Sequence, residues 1–227
     1  MVNFPFDIVL FDLDGTLLET HRDLGAAVNH ALALGGYDPV PADSASDLIG
    51  GGAKIMLGRA VTAQGGASDD EFRQLYKAML RYYETHNAVH TRPYPHAVET
   101  LRDVQARGAI MGVVTNKFEG FARSILGALQ LSDYFAVVVG GDTLGKDEAG
   151  QYIAKPSPAP LLHARAACGD GRAVFVGDSS YDVKAARAAG IPVVAAMYGY
   201  CDGTAAELGA DATIGSLAGL VVTLEQM

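Results

Sequence analysis

From residue 95 onward, short apolar runs alternate with segments of helical spacing, and that alternation leaves few folds open. "HAVETLRDVQARG" (96–108) leads into "AIMGVVT" (109–115), and "FARSILGALQL" (121–131) into "AVVVG" (136–140). "APLLHARAACG" (159–169) leads into "AVFVG" (173–177), "DVKAARAAG" (182–190) into "PVVAA" (192–196), and "DATI" (211–214) offers a last strand. Strands this uniformly apolar are covered on both faces, as in a parallel sheet between helical layers. Residues 6–12 form one more such run. The expected fold is α/β: a Rossmann-like, doubly wound parallel sheet.

Residues 20–90 have a different character. "LGAAVNHALALGG" (24–36) has helical spacing and stops at Gly35-Gly36, and "AKIMLGRAVTAQGG" (53–66) stops the same way. "SDDEFRQLYKAMLRYYETH" (68–86) opens with a capping box, Ser68 with Glu71. Its Phe72, Leu75, Tyr76, Met79, Leu80 and Tyr83 share one face. The expected organisation is a core of 1–18 with 93–227, carrying an all-helical cap, 19–92, after its first strand.

A chain of 227 residues with 49% hydrophobic content can bury a large core. Its formal charge of −9 gives no broad attraction to nucleic acid or an anionic membrane, so an anionic substrate needs local cations. Cys168 and Cys201 form no CxxC pair and suit a reducing compartment. No apolar run approaches the ~20 residues of a membrane span, and the N-terminus lacks a basic leader pattern. A cytoplasmic monomer or homodimer, binding neither nucleic acid nor membrane, is expected.

In open parallel sheets, ligands bind beyond the carboxyl ends of the strands. The polar residues of interest fall there. Run 6–12 ends in Asp12, followed by Asp14, Gly15 and Thr16. Run 109–115 ends in Thr115, followed by Asn116; Lys155 follows run 136–140, and Asp178 follows run 173–177. Each has an ordinary structural reading. The aspartates could cap turns or helices, Thr115 could simply close a strand, and Lys155 could be solvated. Together they suit phosphoryl transfer. An i, i+2 pair leaving a strand directs Asp12 and Asp14 the same way, Gly15 permits a sharp turn, and Thr16 is placed to cap the next segment. Two carboxylates ~4 Å apart repel by about 4 kcal/mol at an effective dielectric of ~20, which a hard cation such as Mg²⁺ would offset. Asp12 can attack phosphorus, Asp14 can move protons, and Lys155 and Thr115 can hold the transferring oxygens.

"FDLDGTL", "VVTN", "AKPSP" and "GDSSYD" together resemble the four motifs of the haloacid dehalogenase superfamily over nearly the whole chain. The resemblance implies Asp12 as nucleophile, Asp14 as acid/base, and Mg²⁺ held by the Asp12 carboxylate, the Asp14 backbone carbonyl and Asp178. It further implies phosphate binding by Thr115, Asn116 and Lys155, with Asp182 orienting Lys155 and Ser179 beside it. The helical insert resembles the family's type 1 cap. Asp14 sets the chain apart from the family's dehalogenases and phosphonatases, and Thr16 from its sugar phosphomutases. "DLGAAVNHAL", "IGGGAKIM", "HTRPYP", "GVVTNK" and "VVVGGDTL" are most similar to its phosphoglycolate phosphatase branch. That implies 2-phosphoglycolate as substrate, with a sugar phosphate, nucleotide or pyrophosphate as alternatives.

Two departures stand out. Residues 143–154 lengthen the link before Lys155, as a hairpin or a loop, and make Lys146 a rival; Pro156 and Pro158 favour Lys155. His96 stands where the family commonly has Gly. For substrate choice, the candidates are Gly51, Gly52 and Lys54, whose ordinary reading is a loop with a solvated lysine, and Arg92. The glycines do not make a P-loop, because Ile55 stands where Ser or Thr belongs. A signalling receiver domain also uses strand-end acids, but the early "DLDGT" and the helical insert argue against it.

Overall fold

The computed structural model describes residues 4–41 and 52–227. In chain order the elements are β1 (Ile8–Phe11), β2 (Leu18–Glu19), α1 (His21–Leu34), α2 (Ala53–Thr62), α3 (Asp69–His86) and β3 (Arg92–Pro93). Then come α4 (Ala97–Ala106), β4 (Ile110–Val114), α5 (Glu119–Ala128), β5 (Val137–Val139) and α6 (Ala159–Cys168). The chain ends with β6 (Ala173–Gly177), α7 (Ser180–Ala189), β7 (Val193–Ala196), α8 (Ala205–Leu208), β8 (Ala212–Ile214) and α9 (Leu220–Glu225). Two compact units result: Met1–Glu19 with Pro93–Met227, and Thr20–Arg92.

The first unit is built on a six-stranded parallel sheet in the order β5-β4-β1-β6-β7-β8. This is the α/β fold expected from the alternation of apolar runs and helices. β1 lies inside it with all four residues buried, which is why "IVLF" carries no polar position. The register pairs Phe11 with Val113 of β4 and Val176 of β6, so these three strands end level with one another. One face is closed by α6 and α7, whose Leu161, Ala164, Val183 and Ala186 pack with Leu10, Phe175 and Val193. Burying a side chain the size of Phe175 contributes up to about 3 kcal/mol. Because β1, β4 and β6 are held between packed layers, the residues just past their ends inherit fixed positions.

Some local expectations change. Thr16 does not cap a helix: its hydroxyl donates to Asp178 Oδ1 at 3.3 Å, and the chain continues into β2 rather than a helical turn. Residues 143–154 form a small hairpin, with an antiparallel bridge between Lys146 and Tyr152 and a bond from the Asp147 N–H to the Gln151 carbonyl. The Lys146 ammonium lies 4.7 Å over the Tyr152 ring. His96 precedes α4 with φ at 68°, a left-handed conformation that accounts for a glycine preference at this position. Cys168 and Cys201 are free thiols, and no helix of the described residues is long and apolar enough to cross a membrane.

Among the described residues, the second unit is built of helices joined by turns, apart from Arg92 in β3, with α1 packed on α3 and α2. α3 buries Leu75, Met79 and Tyr83 at four-residue spacing, the centre of the face read from the sequence. Its capping differs in one half. Ser68 Oγ accepts the Glu71 N–H at 3.3 Å, while the Glu71 carboxylate accepts the Tyr37 hydroxyl at 3.2 Å instead of reaching back to Ser68. The two ends of the unit are tied by buried Asp23. Its carboxylate accepts the N–H of His90 and the N–H and hydroxyl of Thr91, at 3.0, 2.9 and 2.8 Å.

Candidate active site

The site assembles just past the ends of β1, β4 and β6. Asp12 follows β1 directly, its N–H bonded to the Val176 carbonyl at 2.8 Å, so its backbone is part of the sheet edge. Three residues on, Gly15 has φ at 84°, and a Cβ there would collide with the Asp178 carboxylate. Only glycine lets the chain turn this tightly against that acid.

Lys155 is the cation at Asp12. Its ammonium lies 2.8 Å from Asp12 Oδ1 and 2.6 Å from Asp182 Oδ1, with the lysine side chain 2% exposed. Asn116 fixes its backbone from β4's end: the Asn116 amide donates to the Lys155 carbonyl at 3.0 Å and accepts the Lys155 N–H at 2.9 Å. Both ends of the Asn116 side chain are thus engaged with Lys155. Asp182 Oδ2 accepts the N–H and hydroxyl of Ser179 at 2.9 and 2.6 Å, so both its oxygens have protein donors.

Asp178 follows β6. Its Oδ2 accepts the Tyr200 N–H at 2.6 Å and its Oδ1 the Thr16 hydroxyl. Asp14 turns elsewhere: its Oδ2 lies 3.1 Å from the ammonium of Lys117, a lysine whose side chain is 4% exposed. Asp14 Oδ1 is buried with no hydrogen-bond partner among the described residues. Thr115 is buried beside this pair, its hydroxyl oxygen accepting the Lys117 N–H at 3.3 Å.

The electrostatics follow from burial. Desolvation pushes Asp12 up to about 7, against the pull of Lys155. Desolvation, reinforced by Asp182 and Asp12, also drives Asp178 well above the usual carboxylate range. Burial disfavours the Lys155 ammonium, but Asp12 and Asp182 outweigh it and hold the lysine above its ordinary value. Asp12, Asp178 and Asp182 can bring one oxygen each within 4.8 Å of one another, against the single ammonium of Lys155. This all-oxygen cluster is short of positive charge, so its chemistry fits a hard divalent cation. Asp182 is paired with the Lys155 ammonium, whereas the partners of Asp178, the Tyr200 N–H and the Thr16 hydroxyl, are neutral; Asp178 together with Asp12 could therefore hold it. Asp14 is absent from the cluster as a side chain; only its backbone carbonyl could serve.

The sequence reading missed three participants. Lys117 directly follows Asn116, and only its burial against Asp14 reveals it. Tyr200 acts through its backbone, and Gly199 is required because a Cβ there would strike the Gly15 carbonyl and Asp178. Neither carries a side-chain signal in sequence. Of the residues assigned to substrate choice, Gly52 precedes α2, Lys54 is exposed in its first turn, and Arg92 is exposed in β3. They belong to the helical unit, and Gly51 lies outside the described residues.

The family model described as "Haloacid dehalogenase-like hydrolase" matches residues 9–196. A phosphoglycolate phosphatase of Thiobacillus denitrificans is 39% identical over 225 residues, covering 96% of each chain. One from Nitrosospira multiformis is 40% identical over 223 residues, covering 95% of each. Among solved structures, a chain from Haemophilus somnus described as a predicted phosphoglycolate phosphatase superposes with a TM-score of 0.85 at 31% identity. It covers 96% of this chain and 97% of its own.

Proposed function

Because the chain belongs to the haloacid dehalogenase-like hydrolase family, we propose that it is a Mg²⁺-dependent phosphatase that hydrolyses 2-phosphoglycolate to glycolate and phosphate. The observation that carries this reading is a division of labour between two neighbouring carboxylates. Asp12 pairs with buried Lys155, while Asp14 pairs with buried Lys117. A single acid–base pair would not separate attack from proton transfer. The substrate assignment draws on the relatives named phosphoglycolate phosphatase.

In the first step Asp12 attacks phosphorus and the ester oxygen leaves with a proton from Asp14, giving glycolate and an aspartyl-phosphate. In the second, water attacks that phosphorus while Asp14 takes its proton, releasing phosphate and restoring Asp12. Lys155 orients Asp12 and neutralises charge on the transferring oxygens, and the Thr115 hydroxyl donates to one of them. Asn116 and Asp182 hold Lys155 in place. Asp12 and Asp178 would hold Mg²⁺, which would supply charge neutralisation for the incoming phosphate. Within the helical unit, we assign substrate recognition to Lys54, Arg92 and the backbone at Gly51 and Gly52.

The test is a steady-state screen over small phosphate esters with Mg²⁺, and again with a chelator. The reading requires 2-phosphoglycolate to give the highest kcat/KM and the chelator to abolish turnover. A higher kcat/KM for a sugar phosphate or nucleotide would remove the substrate assignment while leaving the phosphatase intact.

A further inference from the structure

Residues 198–203, "YGYCDG", join β7 to α8 without belonging to either. Two of the six are glycines, so the backbone itself does little to fix this stretch. Every second side chain or amide is nevertheless fastened to the sheet edge where Asp178 stands. The Tyr198 hydroxyl donates to the Thr16 carbonyl at 2.7 Å, and the Tyr200 N–H donates to Asp178 Oδ2 at 2.6 Å. Asp202 accepts the N–H and the hydroxyl of Ser180, one on each carboxylate oxygen, both at 2.7 Å. From this geometry we infer that Asp202 is a positioning residue: its clasp on Ser180 keeps the Tyr200 N–H on Asp178 and so aims that carboxylate at a divalent cation. The inference rests on the proposed Mg²⁺ site at Asp12 and Asp178.

Asp202 is exposed, and an exposed acid beside a helix start is ordinarily a cap. Here α7 already carries its own cap, in which the Asp182 carboxylate accepts the Ser179 N–H. What Asp202 adds is a tether from 22 residues further along the chain. Asp178 and Ser180 are two residues apart, and so are Tyr200 and Asp202. The two tethers therefore run side by side, and the outer one fixes the register of the inner. There is no slack between them, since a Cβ at Gly199 would strike both Asp178 and the Gly15 carbonyl. A shift of this stretch thus moves Asp178. Carboxylates that hold a metal are aimed by the hydrogen bonds they accept, and Mg²⁺ demands near-ideal octahedral geometry at about 2.0–2.1 Å. An exposed residue with no contact to the cation would in this way set how well the cation is held.

The test titrates Mg²⁺ against the full chain without substrate and reads the half-saturating concentration from the rise in thermal-unfolding temperature. Asp202→Ala removes both acceptors. Asp202→Asn keeps two contacts without the charge, because its amide can accept the Ser180 N–H and donate to the Ser180 hydroxyl. Asp211→Ala is the structural control: it removes a carboxylate that holds the Arg187 guanidinium and the Val193 N–H at 2.8 Å each. Asp202→Ala should raise the half-saturating concentration about tenfold, the low end of what losing an outer partner of a metal site costs, and Asp202→Asn by less than about threefold. Asp211→Ala should lower the unfolding temperature and leave the half-saturating concentration unchanged. No change in Asp202→Ala would overturn the inference and leave Asp202 as a stabilising tether alone. Equal weakening in Asp202→Asn would overturn it as well, because the effect would then follow the charge; so would equal weakening in Asp211→Ala. If the unmodified chain shows no Mg²⁺-dependent rise, the proposed metal site falls and the inference with it. If circular dichroism shows Asp202→Ala unfolded, Ser180→Ala, which removes one of the two bonds, is put through the same titration with the same outcomes.

Discussion

Lys155 and Asp182 meet at 2.6 Å with side chains 2% and 0% exposed, and Asp182 is in turn held by both donors of Ser179. The start of α7 therefore fixes the ammonium that faces Asp12. Removing the cation alone leaves buried carboxylates without compensation, which typically costs about 3–5 kcal/mol. Lys155→Met should lower the urea-unfolding free energy by that order and abolish phosphate release. Asp182→Asn keeps the Lys155–Asp12 pair but frees the lysine to rotate. It should reduce kcat more than it reduces stability.

Gly15 combines a positive φ with direct contact against Asp178. Gly15→Ala forces both a strained backbone and a displaced carboxylate, so it should destabilise the protein by more than about 1 kcal/mol. Because Asp178 is one of the two carboxylates proposed to hold the metal, the variant should also need a higher Mg²⁺ concentration for half-maximal activity. Thermal unfolding and a Mg²⁺ titration separate the two effects.

His96 is exposed and adopts φ of 68° just before α4, with no side-chain hydrogen bond capping the helix. Relief of the left-handed strain outweighs the extra freedom glycine has in the unfolded chain, so His96→Gly should stabilise the protein by up to about 1 kcal/mol. The midpoint of denaturant unfolding should rise while kcat on any substrate stays within the error of the assay.

The fold was legible because its signal is local: each apolar run and each helical period stands in the sequence by itself. Asp12, Thr115 and Asp178 were legible as candidates because they interrupt apolar runs at strand ends, and Lys155 because Pro156 and Pro158 flank it. Other features depend on contacts between residues far apart in the chain. Nothing near Asn116 tells that its amide spans to the Lys155 backbone, 39 residues away. Nothing near Thr16 tells that its hydroxyl turns to Asp178 instead of capping a helix. Lys117 looks like any solvated lysine until the packing of β4 against β1 brings it to Asp14. Tyr200 and Gly199 act through backbone atoms, which residue identity does not announce.

The central claim is that Asp12 is the nucleophile, and the most direct measurement is Mg²⁺-dependent phosphate release from 2-phosphoglycolate by Asp12→Asn. The amide keeps the size of the side chain and can still sit beside Lys155, but it cannot form the acyl-phosphate link. The account requires kcat to fall by at least about 10³-fold in a variant whose circular dichroism and thermal unfolding show a native fold. Near-normal turnover by that folded variant would contradict it.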